Sequence, residues 1–168
     1  MENFNFDSPP RFELSDDNDI PVIPCTYKKP STFKDGITDC IDGSLSMLMY
    51  NIRSCRKNFG TFVLHLCDLM VRFSFIVLVE TWLTKDTDYA FDIQGYKQVN
   101  IYRDNLGGGI KFFYDDAFDI EVIDRLTFVT DVMEVLTLML IGSNFKYIVC
   151  CVYRSTRADL FLLMNVFF

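Results

Sequence analysis

The chain has 168 residues and a mass of 19.6 kDa, about one domain's worth, which argues against a multidomain organisation. Hydrophobic residues make up 50% of it and aromatics 15%, with 17 Phe, enough to bury a core and too many for a wholly disordered chain. Its 23 acidic and 16 basic side chains give a net charge of -7 and a pI near 4.6. That excludes the broad basic surface of a nonspecific nucleic-acid coat protein and leaves room for a local basic cleft.

Residues 1 to 43 carry nine Asp or Glu against four Lys or Arg, and all five prolines. Proline removes backbone donors and acidic runs repel, so this segment is expected to be an extended or disordered leader, with the folded body over residues 44 to 168. The start, Met-Glu-Asn-Phe-Asn-Phe-Asp, has neither a basic nor an apolar stretch of the secretory kind, and an intracellular location is expected. The most apolar region, 61 to 83, is interrupted by Asp68, Arg72 and Glu80, so no membrane span is expected. Cysteines stand at 25, 40, 55, 67, 150 and 151 without a C-x-x-C pair; they read as reduced thiols, with Cys150 and Cys151 on opposite faces of a strand.

Leu45 to Tyr50 is a short apolar run ended by Asn51, which predicts a buried strand. Phe59, Phe62, Val63, Leu66, Leu69, Met70 and Phe73 then recur at three- and four-residue steps, predicting an amphipathic helix with Asn58 as its cap. Phe75 to Glu80 is a second β-branched run. Strand, helix, strand closes most simply as a parallel crossover, with both strands central in one sheet. Tyr96 to Tyr102 and Ile110 to Tyr114, joined across Gly107-Gly108-Gly109, predict a hairpin, and Asp115-Asp116 a turn. Val132 to Ile141 and Tyr147 to Tyr153, around Gly142-Ser143-Asn144, predict another hairpin, and residues 157 to 168 the opening of an amphipathic helix.

Asn51 and Glu80 fall at the carboxyl ends of the two strands of the crossover, the edge where ligands of open α/β sheets bind. A carboxylate and an amide there suit a hard divalent cation and an oxygen-rich substrate; a solvated Glu and a turn-forming Asn are the plainer alternative. His65, the only histidine, lies on the polar side of the helix, and the triple glycine lacks the Lys-Ser/Thr of a phosphate-binding loop.

In order along residues 44 to 168 stand Tyr50-Asn51-Ile52-Arg53-Ser54, Val79-Glu80-Thr81-Trp82-Leu83, Gly95-Tyr96, Tyr102-Arg103 with Gly107-Gly108-Gly109-Ile110, Glu134, and Val152-Tyr153-Arg154. Together these resemble the endonuclease domain of non-LTR retrotransposons, in the endonuclease/exonuclease/phosphatase superfamily that includes the apurinic endonucleases. The resemblance implies the amino-terminal half of a four-layered α/β sandwich, with a mixed or antiparallel sheet carrying helices on one face. It implies a metal-dependent phosphodiesterase that nicks DNA, working in the nucleus. Glu80 matches the ligand of Mg²⁺ (or Mn²⁺), Asn51 its polar partner at metal and phosphate, and Tyr153 the tyrosine at the scissile phosphate. Arg103 and Arg154 match positions for DNA-backbone contact, with a solvated or structural role as the alternative.

The family's Gly-Asp-Phe-Asn and Ser-Asp-His motifs, which serve the nucleophile, do not occur in this sequence. The expectation is therefore a partial domain, catalytically incompetent alone and binding its cation weakly. A non-enzymatic module that self-associates through an exposed apolar sheet face, or a fragment of a longer active endonuclease and reverse transcriptase, are the alternatives.

Overall fold

A computed structural model describes residues 45–103, 107–142 and 145–154; the expected leader and the expected helix over 157 to 168 lie outside the described residues. The order is β1 (Met47–Asn51), α1 (Cys55–Leu69), β2 (Phe75–Val79), β3 (Tyr96–Ile101), β4 (Ile110–Asp115), β5 (Asp119–Val122), β6 (Phe128–Val129), β7 (Met133–Ile141) and β8 (Lys146–Arg154). Short 3-10 turns occur at Asp88–Ala90 and Asp124–Leu126. Two sheets result. The first has the order β1-β2-β4-β3, with β1 parallel to β2 and the other pairs antiparallel. In the second, β7 pairs with β8 along its whole length, while β5 and β6 pair with opposite ends of β7.

Side-chain alternation in β2 sets the layering. Ile76 and Leu78 join Phe62, Cys55, Phe73 and Phe113 in a core beneath α1. Phe75, Val77 and Val79 point the other way, into a second core with Ile110, Phe112, Leu136, Leu138, Leu140 and Cys151 of the facing sheet. A strand covered on both sides must be apolar at every position, and Phe-Ile-Val-Leu-Val is. The described residues thus form three layers, helix, sheet and sheet. The outer side of β8 stays open, with Ile148 66% and Val152 40% exposed.

The strand, helix, strand unit and both hairpins form as the sequence patterns predict, and Cys151 is buried while Cys150 is exposed. Three expectations need correction. First, β1 is an edge strand and largely exposed, rather than buried and central, because among the described residues nothing pairs with its outer side. Second, α1 starts at Cys55, after Ser54. Asn58 sits inside its first turn, where its side-chain amide donates to the carbonyls of Ile52 (2.7 Å) and Arg53 (3.0 Å) and ties down the incoming loop. Third, α1 ends at Leu69. Met70 caps it in the left-handed conformation and is exposed, and Phe73 reaches the core from beyond the helix.

Candidate functional site

The carboxyl ends of β1 and β2 run into a set of loops with strained backbone. Five non-glycine residues among those described have positive φ, and four of them lie here: Arg53 (46°), Ser54 (91°), Glu80 (56°) and Trp82 (55°). Each such residue costs of order 1–3 kcal/mol, so the surroundings must hold it. They do so through main-chain hydrogen bonds. Ile52 N–H donates to Val79 O (3.0 Å), Ser54 N–H to Glu80 O (2.8 Å) and Cys55 N–H to Thr81 O (2.9 Å). From the other side, Thr81 and Trp82 donate to the carbonyls of Gly109 (3.2 Å) and Gly108 (2.8 Å). The three loops are one hydrogen-bonded unit.

The triple glycine is required by this closure. Gly107, Gly108 and Gly109 all have positive φ, and a Cβ on Gly108 would collide with the carboxylate of Glu134. Glu134 is the buried anchor of the unit at 1% exposure, and its Oε2 accepts the Gly109 N–H at 2.7 Å. Its other oxygen, Oε1, has no hydrogen-bond donor among the described residues and faces Nη1 of Arg103 at 3.9 Å. Arg103 also donates to the carbonyl of Asp131. Burial holds the Glu134 carboxyl above the usual range; the Gly109 N–H and Arg103 oppose this, while the charge of Glu80 adds to it.

Glu134 lies directly across the β7–β8 ladder from Tyr153, so both side chains leave the same face, toward the first sheet. The Tyr153 hydroxyl donates to Oε1 of Glu80. Burial, then this bond and the charges of Glu80 and Glu134, push the Tyr153 phenol up to about 12, against an opposing effect of Arg103. It is therefore a hydrogen-bond donor at neutral pH.

Of the residues singled out in the sequence, Glu80 and Tyr153 meet, and Arg103 joins them through Glu134. Asn51 does not reach them through a hydrogen bond. Its register partner is Val79, but its Oδ1 accepts the Arg53 N–H (3.2 Å), and it borders a cavity of about 240 Å³ shared with Tyr50, Arg53, Asn58, Thr61 and Phe62. Arg154 ends β8 beside Tyr153 and is exposed. His65 is exposed on α1.

The central position of Glu134 exceeds what its place among the sequence motifs suggested. A signal was present: counting back along the second hairpin from its Gly142 turn sets residue 134 opposite residue 153.

No three His, Cys, Asp or Glu side chains gather into a metal-holding group among the described residues. The donor set nonetheless fits a hard cation of the Mg²⁺ kind, which commonly takes one or two carboxylates and leaves other positions to water and phosphate. Glu80 supplies a carboxylate at the cleft, and Glu134 a buried oxygen still lacking a donor. A scan against protein-family models finds no match for the chain, and a search of curated proteins finds no significant relative.

Proposed function

We propose that this chain is a metal-dependent DNA phosphodiesterase domain of the non-LTR retrotransposon endonuclease type, bearing the cation- and phosphate-holding side of the site without the side that activates water. The observation that carries this reading is the hydrogen bond from Tyr153 to Glu80. Two motif residues 73 positions apart, from different sheets, converge at the strand ends that the ordered motifs single out.

In this reading Glu80 holds Mg²⁺ or Mn²⁺, and the cation when bound neutralises charge on the phosphate oxygens. Tyr153, a phenol protonated at neutral pH, can donate to a phosphate oxygen. Asn51 offers an amide on the neighbouring strand, and Arg154 meets the DNA backbone from the end of β8. Arg103 is given a structural role, holding Glu134 and through it the glycine turn. The single histidine, His65, is exposed on α1 and is given no part in activating water. In this reading the chain is part of a four-layered sandwich whose fourth layer would cover the outer side of β8. The place of action is the nucleus. Among the described residues no helix is long and apolar enough to cross a membrane.

The test is cation binding followed by nicking. Mn²⁺ titration monitored by electron paramagnetic resonance is expected to show one weak site that Glu80→Ala removes, with no nicking of supercoiled plasmid by the purified protein in Mg²⁺. Absence of that site refutes the metal role; nicking that Glu80→Ala abolishes refutes the inactivity.

A second reading, a non-enzymatic module that self-associates, draws on the exposed Ile148 and Val152 and the unpaired outer edge of β1. Sedimentation showing a dispersed monomer at all concentrations refutes it.

A further inference from the structure

Trp82 is an anomaly in its setting. It lies between Thr81 and Leu83, which are 1% and 3% exposed, yet it is itself 43% exposed. Its φ is 55°, a conformation that bulky residues rarely adopt. The N–H of Trp82 is bonded to Gly108 O at 2.8 Å, and its indole lies against Gly107, with Nε1 3.9 Å from where a Cβ would be. The indole is thus fixed in the open, two residues from Glu80, on a platform of glycine that leaves its surroundings clear. Among the described residues the other exposed aromatics, Tyr50, Tyr89 and Tyr147, have no such positive φ. Arg53 just past β1, Arg56 and Lys57 in the first turn of α1, and Arg154 at the end of β8 are exposed cations in an otherwise acidic chain.

A half-exposed indole two residues from the carboxylate assigned to the cation, in a chain that also carries exposed cations just past β1 and at the end of β8, has the composition of a nucleobase-stacking surface, in which the cations meet the backbone and the aromatic face meets the base. We propose that Trp82 stacks on an unpaired or unstacked nucleobase of the strand whose phosphate lies at Glu80 and Tyr153. The proposal rests on the phosphodiesterase reading and adds to it a preference for single-stranded or locally melted DNA. Stacking is sequence-tolerant, because every base has a π face, so Trp82 contributes affinity and placement of the strand and little base selectivity.

Trp82 is the only tryptophan in the chain, so the emission of the unmodified protein reports on this residue alone. The full chain in Mg²⁺ is titrated with a short single-stranded oligonucleotide and, separately, with an abasic oligonucleotide of equal length. Indole emission is expected to be quenched by the first and unchanged by the second, although anisotropy of a labelled strand shows both to bind. Trp82→Ala is expected to weaken the base-bearing strand about tenfold and leave the abasic strand unaffected, with Trp82→Phe intermediate. Equal quenching by both strands, or equal affinity of wild type and Trp82→Ala for the base-bearing strand, overturns the stacking role while leaving the phosphodiesterase reading intact. Binding of neither strand overturns both.

Discussion

Replacing Gly108 by alanine tests whether the Glu134 carboxylate and the glycine turn are one construction. A Cβ at this position would lie 3.0 Å from both Glu134 Cδ and Arg103 Cδ, and nearer still to Glu134 Oε1. Something must move. Arg103 is bonded to Asp131 and Glu134 is buried, so the carboxylate has no solvent to retreat into and must surrender its 2.7 Å bond from Gly109 N–H. A hydrogen bond to a charged group is worth about 1.5–3 kcal/mol, and φ of 71° in an L-residue adds about 1 kcal/mol or more. The expected loss is roughly 3–4 kcal/mol. Two other glycines calibrate it. Gly107→Ala meets only the indole edge at 3.9 Å and should cost its backbone strain alone, about 1–2 kcal/mol. Gly60, inside α1 with nothing within 4 Å, should gain about 0.5–1 kcal/mol as alanine. Urea unfolding followed by circular dichroism, with midpoints compared at constant slope, measures all three. A Gly108→Ala variant no less stable than Gly107→Ala would refute the coupling between the turn and Glu134.

Glu80→Gln removes the charge beside Tyr153, so the phenol should ionise below its present value of about 12; absorbance titration of tyrosinate at alkaline pH, with Tyr153→Phe identifying the signal, checks this, and an unshifted curve contradicts it. The phenols of Tyr102 and Tyr153 are both raised from 10.0 to about 12 in the folded chain. Their contribution to stability is therefore whole below about pH 10 and lost as pH rises toward 12, so urea midpoints should fall over that window and fall less in a Tyr102→Phe, Tyr153→Phe double variant. Lys111, 1% exposed, donates to the Asp88 carbonyl at 3.4 Å and lies over the Phe113 ring at 5.1 Å, and burial lowers its pKa. Lys111→Met should be neutral or stabilising, whereas Asp88→Ala, which keeps that main-chain acceptor but removes the nearby negative charge from Lys111 and the carboxylate acceptor from Asn100 and Tyr102, should cost about 1–3 kcal/mol; the reverse order in thermal melts would show that the amine is better paired than this geometry implies.

The elements that were legible in the sequence are those whose periodicity reflects burial on a defined face. The helix announced itself through Phe59, Phe62, Val63 and Leu66, and β2 through an unbroken apolar run, because each is covered in the way its pattern implies. The run at β1 looks the same on paper, yet Met47 and Met49 are 46% and 53% exposed, because strand position in the sheet, and not composition, decides what covers them. Strands β5 and β6, of four and two residues, are too short to show alternation and owe their existence to pairing with β7. At the site, Glu80 and Tyr153 were visible as polar residues at strand ends. Their meeting depends on how one sheet is laid over the other, which no local pattern encodes. Lys111 was equally hidden, since a lysine between Ile110 and Phe112 gives no hint that it will be enclosed beneath the loop containing Asp88.

The edge strands β1 and β8 run in the same direction along one flank of the sandwich. At their beginnings Leu45, Met47, Tyr147 and Val149 surround an apolar hollow of about 260 Å³; at their ends stand Asn51 and Tyr153. The apolar hollow and the amide and phenol of the candidate site are thus carried at opposite ends of the same two strands.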